Sequence, residues 1–329
     1  MAVLITGAAG FIGYHTAMAL LERGEEVVGV DNVNDYYDVS LKEARLARLS
    51  GAGQFRFERI DIADRDAVTA ALARNPRLDR VVHLAAQAGV RYSLINPYAY
   101  VRCNIEGHVV LLEACRRLPD LRHFVYASSS SVYGANTKLP FSVEDRVDTP
   151  VSLYGATKKA MEEISYAYAH VHRIPLTGLR FFTVYGPWGR PDMAAFIFTR
   201  KILAGEPIPV FNNGDMRRDF TYIDDIVSGV VASLDQPPVQ SADKACARVY
   251  NLGNHRSEHL MDFIGLIEQA LGRKAKLELL PMQTGDVKET FADIEAARRD
   301  LGFAPKTPIS EGIPRFVAWY RDFYGVRGS

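Results

Sequence analysis

The chain has 329 residues, and 39 lysines plus arginines balance 39 aspartates plus glutamates. That neutrality argues against partners such as nucleic acid or an anionic membrane surface, so any anionic ligand must be held by local positive groups. Hydrophobic residues make up 48%, enough for a sizeable core, and the length fits two lobes or one enlarged α/β unit. The three cysteines, Cys103, Cys115 and Cys246, show neither metal-ligand spacing nor a disulfide framework. The expectation is therefore no metal and a reducing, cytoplasmic setting. No basic leader or long apolar segment precedes the first apolar run, which gives no reason to expect a membrane anchor.

Taken in chain order, short β-branched runs alternate with helical patterns. Strands are expected at 3–6, 26–31, 55–61, 80–84, 123–128 and 175–180, with helices at 12–23, 63–74, 104–117 and 154–172. This βαβα order predicts an α/β fold, a doubly wound parallel sheet of the Rossmann kind, with ligands at the C-terminal strand ends. After about residue 180 the pattern is less regular. A helix at 223–234 and a strand at 248–252 are read as returns to the first lobe. The expected division is a dinucleotide-binding domain over 1–180, with returns near 223–253, and a smaller C-terminal substrate lobe over 181–329. The stretch 235–244, rich in proline and polar residues, reads as a surface loop.

Gly7, Gly10 and Gly13 follow the first strand and open the first helix. Glycines there let the backbone approach a pyrophosphate, which the helix N-terminus stabilises. Asp31 ends the second strand, where a carboxylate accepts hydrogen bonds from an adenosine ribose and repels a 2′-phosphate. NAD is therefore expected over NADP. Asp61 and Ile62 close the third strand. Position alone allows Asp61 either to cap the next helix or, with Ile62, to border an adenine.

Tyr154 and Lys158 lie four apart at the start of a helix, on one face. An ammonium converging on a phenol would favour phenolate and prepare a general base. The spacing alone is unspecific, but it follows a run of four serines, 128–131, at a strand end where this fold places catalytic groups.

Together, the three glycines, Asp31, Leu84-Ala85-Ala86, the Ser-Ser-x-x-Val-Tyr-Gly segment and the Tyr154/Lys158 pair resemble the extended short-chain dehydrogenase/reductases that act on nucleotide sugars, also described as the NAD-dependent epimerase/dehydratase family. The resemblance runs through essentially the whole chain. Two stretches, 85–93 and 180–193, look like the UDP-glucuronate 4-epimerases of that family. The resemblance implies Ser129, Tyr154 and Lys158 as the catalytic set. It also implies cofactor contacts from Phe11, Ile12, Asn32, Asp61, Ile62, Leu84, Ala85, Ala86, Asn104, Tyr154, Lys158 and Phe181. Phe181 stands where UDP-galactose epimerases usually have tyrosine.

For the substrate, the resemblance places Arg218 on the diphosphate and Asp286 at the uridine ribose. Gln283 stands where UDP-galactose epimerases carry a second phosphate-binding arginine. Ser128, Ser129 and Ser130 would neighbour the sugar. Thr183 replaces an asparagine of the UDP-galactose enzymes, a change suited to a carboxylate in place of a hydroxymethyl group. Arg190 is the leading arginine for that carboxylate and Arg91 the second. Either arginine could equally brace a loop. The implied partners are UDP-glucuronate and UDP-galacturonate, with a homodimer built on paired helices.

The competing enzyme readings are a decarboxylase and a 4,6-dehydratase, which begin with the same oxidation. Related dehydratases and decarboxylases carry acidic residues where this chain has Ser130 and Ser131, so both are disfavoured. An NAD-binding sensor without turnover is the non-enzymatic alternative, and the complete Ser/Tyr/Lys set speaks against it.

Overall fold

The computed structural model describes residues 1–239, 244–283 and 286–326. Residues 240–243 of the proline-rich stretch lie outside the described residues. In chain order the first part runs β1 (Ala2–Thr6), α1 (Phe11–Glu22), β2 (Glu26–Asp31), α2 (Val39–Ser50), β3 (Phe55–Arg59), α3 (Arg65–Arg74) and β4 (Leu78–His83). Then come the short helices α4 (Tyr92–Ile95) and α5 (Pro97–Tyr100), a π-helical turn over Val101–Glu106, α6 (Gly107–Cys115), β5 (His123–Ser129), α7 (Leu153–His172) and β6 (Leu176–Phe181).

The second part contains β7 (Thr183–Tyr185), α8 (Ala194–Ala204), β8 (Pro207–Phe211), β9 (Arg217–Arg218), β10 (Phe220–Tyr222) and α9 (Ile223–Asp235). It continues with β11 (Ala247–Leu252), β12 (Glu258–His259), α10 (Leu260–Leu271), β13 (Lys276–Leu280), α11 (Glu295–Leu301) and α12 (Ile309–Phe323).

Seven parallel strands form the main sheet in the order β11-β6-β5-β4-β1-β2-β3. Every residue of β1 and β5 is buried, as befits strands covered by helices on both faces. The chain winds outward in opposite directions from β1 and β4, which leaves a crevice at the C-terminal ends of those two strands. The helix expected at 223–234 packs on α1, and the strand expected at 248–252 completes the sheet beside β6.

Helix α2 was not among the expected elements. Asp38 caps it by accepting from Ser40 N, and Leu41, Leu46 and Leu49 are its apolar stripe. The helix expected at 104–117 starts with the π-helical turn rather than an α-helical one. Asn104 in that turn is fully buried and commits its amide to the chain: Oδ1 accepts from Gln87 N at 2.8 Å, while Nδ2 donates to Gln87 O and Thr157 Oγ1.

Beyond β6, the short sheets β7/β10, β9/β12 and β8/β13 pack with α8, α10 and α12 over an aromatic core including Phe196, Phe263 and Phe316. No described helix is long and apolar enough to cross a membrane.

Candidate active site

A cleft of 740 Å³ runs from the glycine turn, past the C-terminal ends of the main sheet, to the short sheets. At one end, Gly7 N donates to Val30 O and Gly10 N to Gly7 O, folding the turn tightly onto the start of α1. A Cβ on Gly7 would stand 2.7 Å from Ala85 N, and one on Gly13 would stand 2.0 Å from Gly7 O. Gly7 also adopts φ +75°, which glycine alone takes without strain. The turn therefore exists only with these glycines, and it leaves the N-terminus of α1 facing the cleft. That cradle fits a pyrophosphate.

Asp31 lines this end with Asn32. Its Oδ2 accepts from Ala9 N at 3.1 Å and its Oδ1 from Val33 N at 2.8 Å, so the carboxylate braces the glycine turn as well as facing the cleft. Burial pushes the carboxyl pKa up, opposed by those hydrogen bonds and by Lys42 and Arg45. Lys42 enters the cleft from α2 and donates to Asn34 O and Oδ1.

Phe11, Ile12, Ile62, Leu84, Ala85, Ala86 and Phe181 also line the cleft. Asp61 and Asn104 are not among its lining residues. Asp61 accepts from Ala63 N at 2.9 Å and pairs with Arg102, so its observed partners tie the β3 end to the turn before α3 and to the π-helical turn. Asn104 lies behind the wall, holding Gln87, which does line it.

In the middle of the cleft, β5 ends in Ser128 and Ser129 and passes into a turn of 3₁₀ helix over Ser130–Tyr133. Ser129 caps that turn by accepting from Ser131 N at 3.2 Å. Helix α7 begins against it, capped by Ser152, whose Oγ accepts from Gly155 N at 3.0 Å. A Cβ on Gly155 would meet Ser131 O at 2.5 Å, so glycine is what lets the helix start abut the serine turn. This sets Tyr154 in the cleft wall beside the serine turn that carries Ser129. Burial raises the Tyr154 pKa, and the Ser129 hydrogen bond and the Arg190 charge oppose that rise.

Lys158 lines the cleft too, but the direct ammonium–phenol convergence expected from the four-residue spacing is not what the chain makes. Its Nζ donates to Ala127 O at 2.8 Å, because a fully buried ammonium takes the strand-end carbonyl that helix packing offers it. Burial pulls its pKa down to about 8.

Ser128 and Ser130 line the cleft. The Ser128 hydroxyl donates to Glu162 Oε1 at 2.6 Å, so it has no proton left to donate to a sugar carboxylate. Ser131, not among the expected sugar neighbours, lines the cleft beside Ser129 at 3.2 Å. Thr183 stands where β6 leads into β7, its backbone N–H donating to Asp219 O. Arg190 lines the same region, with Nε donating to Asp192 Oδ1 at 3.0 Å and Nη2 to Oδ2. Tyr36 donates to that carboxylate from across the cleft, at 3.1 Å. Neither Tyr36 nor Asp192 was expected, since they are 156 residues apart and belong to no local motif.

At the far end, Arg218 is held by its own main chain, donating to Arg217 O and Lys288 O, and burial lowers its pKa. Arg91 lies 3.6 Å from Asp286 and stacks over the Phe211 ring at 4.6 Å. All four line the cleft. Gln283 does not, and its neighbours 284–285 are outside the described residues. Arg217 turns away to Ser257 and Glu289. Among the described residues no cluster of His, Cys, Asp and Glu could hold a metal ion.

One end of the cleft thus suits a dinucleotide, the middle gathers the hydroxyl-bearing Ser129, Ser131 and Tyr154, and the far end offers arginines. Known proteins are similar to this chain over nearly its whole length. A UDP-glucuronate 4-epimerase of Arabidopsis thaliana (number 4) is 51% identical over 332 residues, covering 98% of this chain and 76% of that protein. Protein CapI of Staphylococcus aureus is 46% identical over 335 residues, covering 98% of this chain and 99% of that protein. The crystal structure of UDP-glucuronic acid 4-epimerase from Bacillus cereus, in complex with UDP-glucuronic acid and NAD, superposes with a TM-score of 0.90 at 36% identity, covering 98% of this chain and 100% of that one. The model of the NAD dependent epimerase/dehydratase family matches residues 3–253, and the chain belongs to that family.

Proposed function

We propose that this protein is an NAD-dependent epimerase that interconverts UDP-glucuronate and UDP-galacturonate by transient oxidation at C4 of the sugar. The observation that carries this reading is the Ser129–Tyr154 pair, set between a dinucleotide cradle and an arginine-bearing pocket, with serines rather than carboxylates at 130 and 131. The relatives and the structural neighbour named above support the choice of substrate and cofactor.

NAD, when bound, accepts the hydride from C4 and returns it. Gly7, Gly10, Gly13 and Asp31 would hold its adenosine diphosphate half, and Lys158 the nicotinamide ribose. Tyr154 takes the proton from the 4-hydroxyl and gives it back after the flat 4-keto sugar has turned over. Ser129 shares that proton. Arg218 neutralises the diphosphate. Residues 1–180, with the returns at α9 and β11, form the cofactor half, and the remainder forms the UDP-sugar lobe.

A 4-keto uronate is a β-keto acid, which loses CO₂ when the C5–carboxylate bond aligns with the carbonyl π system. Ser130, Ser131 and Thr183, which line the cleft, would hold the carboxylate out of that alignment. The homodimer and the cytoplasmic setting belong to the same proposal. Unpaired cysteines support the setting, and exposed Ile95, Tyr98, Tyr166 and Val171 on α4, α5 and α7 support the dimer.

The test is incubation of the purified protein with UDP-glucuronate, with products read by mass spectrometry and NMR. UDP-galacturonate is expected. UDP-pentose as the main product would replace the epimerase by a decarboxylase.

A further inference from the structure

Helix α7 grips the end of β5 with consecutive turns. Tyr154 lies beside the turn that carries Ser129, Lys158 Nζ donates to Ala127 O, and Glu162, one turn on, accepts from Ser128 Oγ at 2.6 Å. Glu162 is in turn clamped by Arg180 of β6, which donates Nε to Oε1 and Nη2 to Oε2, both at 2.8 Å. Both side chains are about 5% exposed. The remaining Arg180 nitrogen, Nη1, donates to Tyr133 Oη at 3.0 Å, and that hydroxyl donates to Asn251 Oδ1 at 2.7 Å. One buried carboxylate therefore ties the helix with the proton-transfer tyrosine to both strands that flank the sugar site.

Buried charges need partners, and Lys158 is a fully buried cation. Three titratable groups face it from other elements: His83 at the end of β4, His108 of α6 and Cys103 of the π-helical turn. Burial holds His83 well below the usual histidine range and His108 at about 3, and it pushes the Cys103 thiol up to about 11. None of the three carries a charge near neutral pH. From β5, Lys158 receives only a neutral carbonyl. Cys103 and Glu162 both favour its charged form, and Glu162 is the carboxylate of the two: it accepts from Ser128, the residue next to Ala127, whose carbonyl Lys158 takes. Around Glu162 itself stand Arg180, Lys159 at 3.9 Å and the phenols of Tyr126 and Tyr133.

We propose that Glu162 is a positioning residue of the reaction: it fixes the serine-bearing strand end against α7 and supplies the counter-charge that keeps Lys158 an ammonium. Arg180 holds the carboxylate in place, and the Ser128 hydroxyl serves this clamp rather than the sugar. The proposal rests on the epimerase reading for the roles of Ser129 and Lys158.

The test reads Lys158 directly. Lysine Cε signals of 13C-labelled enzyme are followed through pH, with Lys158→Met identifying the signal. In Glu162→Gln, the Lys158 titration is expected about one pH unit or more below that of the unmutated protein. The pH optimum of turnover should move in the same direction. Glu162→Asp, which keeps the charge, should hold the titration near its original place. Glu162→Gln leaves Arg180 unpaired and risks unfolding, so the double change Glu162→Gln/Arg180→Met, which leaves no orphaned charge, is measured alongside it. An unshifted Lys158 titration in folded Glu162→Gln, or in the double variant relative to Arg180→Met alone, overturns the proposal. Absence of UDP-glucuronate turnover by the unmutated enzyme would instead overturn the epimerase reading, and the titration is independent of that outcome.

Discussion

The guanidinium of Arg190 is spoken for: it makes a two-pronged pair with Asp192, two residues further along, and Tyr36 donates to the same carboxylate. An arginine so paired gains less from a second carboxylate than a free one would. In the proposed epimerase the uronate carboxylate would therefore fall to Thr183 and the hydroxyls of Ser130 and Ser131. Charge-assisted hydrogen bonds are worth about 1.5–3 kcal/mol, so Thr183→Ala should cut the preference for uronates over neutral hexoses roughly ten- to a hundred-fold. More of the keto intermediate should then be lost as UDP-pentose. Arg190→Ala should cost less. Product ratios for UDP-galacturonate, UDP-pentose and UDP-galactose check both, and equal ratios in all three enzymes would remove these residues from the clamp.

Tyr154→Phe should abolish turnover and leave the binding of NAD and UDP-glucuronate largely intact, since it removes one hydroxyl and little shape. Calorimetric binding beside single-turnover kinetics separates the two effects. A near-normal kcat would reject Tyr154 as the base.

Asp31 lines the cleft beside Lys42, at the end proposed to take the adenosine ribose. Asp31→Ser should lower NAD affinity and raise NADP affinity, because the repulsion of a 2′-phosphate is removed while a cation remains to receive it. The ratio of the two dissociation constants is the readout. A ratio unchanged from the parent enzyme would place cofactor choice elsewhere.

Asp219 gives a pH signature. It is fully buried, and although its oxygens accept from Thr221 Oγ1 and the main-chain N–H groups of Asn254, His255 and Ala292, burial raises its pKa to about 6. The native state thus binds this proton more tightly than the unfolded chain does. Stability from this group is present at low pH and lost as pH climbs from about 4 through about 6, by roughly 3 kcal/mol in all. Urea unfolding at pH 4.5, 6 and 7.5, compared between the parent and Asp219→Asn, isolates the contribution. The difference between the two proteins should move in that direction, and a pH-independent difference would contradict it.

The strands and long helices were legible in the sequence because each carries its own period. Buried β1 and β5 read as short strand-forming runs, and α7 as a long helical pattern. The glycine turn and the Tyr154/Lys158 pair were legible because their chemistry is local. Helix α2 was hidden by its charged composition and the Asn- and Asp-rich lead-in, and with it went Lys42. Tyr36 with Asp192 and Arg91 with Asp286 are joined only by folding, so no window of sequence contains either pair. Glu162 was passed over for a different reason. It sits beside Lys159 and Glu163 in what reads as a solvated helix face, and only the tertiary structure separates buried Glu162 from Glu163, whose side chain is 65% exposed.

The outermost position of β11 has a consequence for the chain as it is being made. The strand beside which it lies, β6, ends at Phe181, while its partner is not complete until Leu252. A ribosome adding about 5–20 residues per second would take several seconds to span that interval. If the earlier strands pair before then, β6 would be the bare edge of the sheet, a template for pairing with a neighbouring nascent chain. Truncation before residue 247 should therefore yield aggregates rather than a cofactor-binding fragment, and expression of this protein should be sensitive to anything that stalls translation between those two strands.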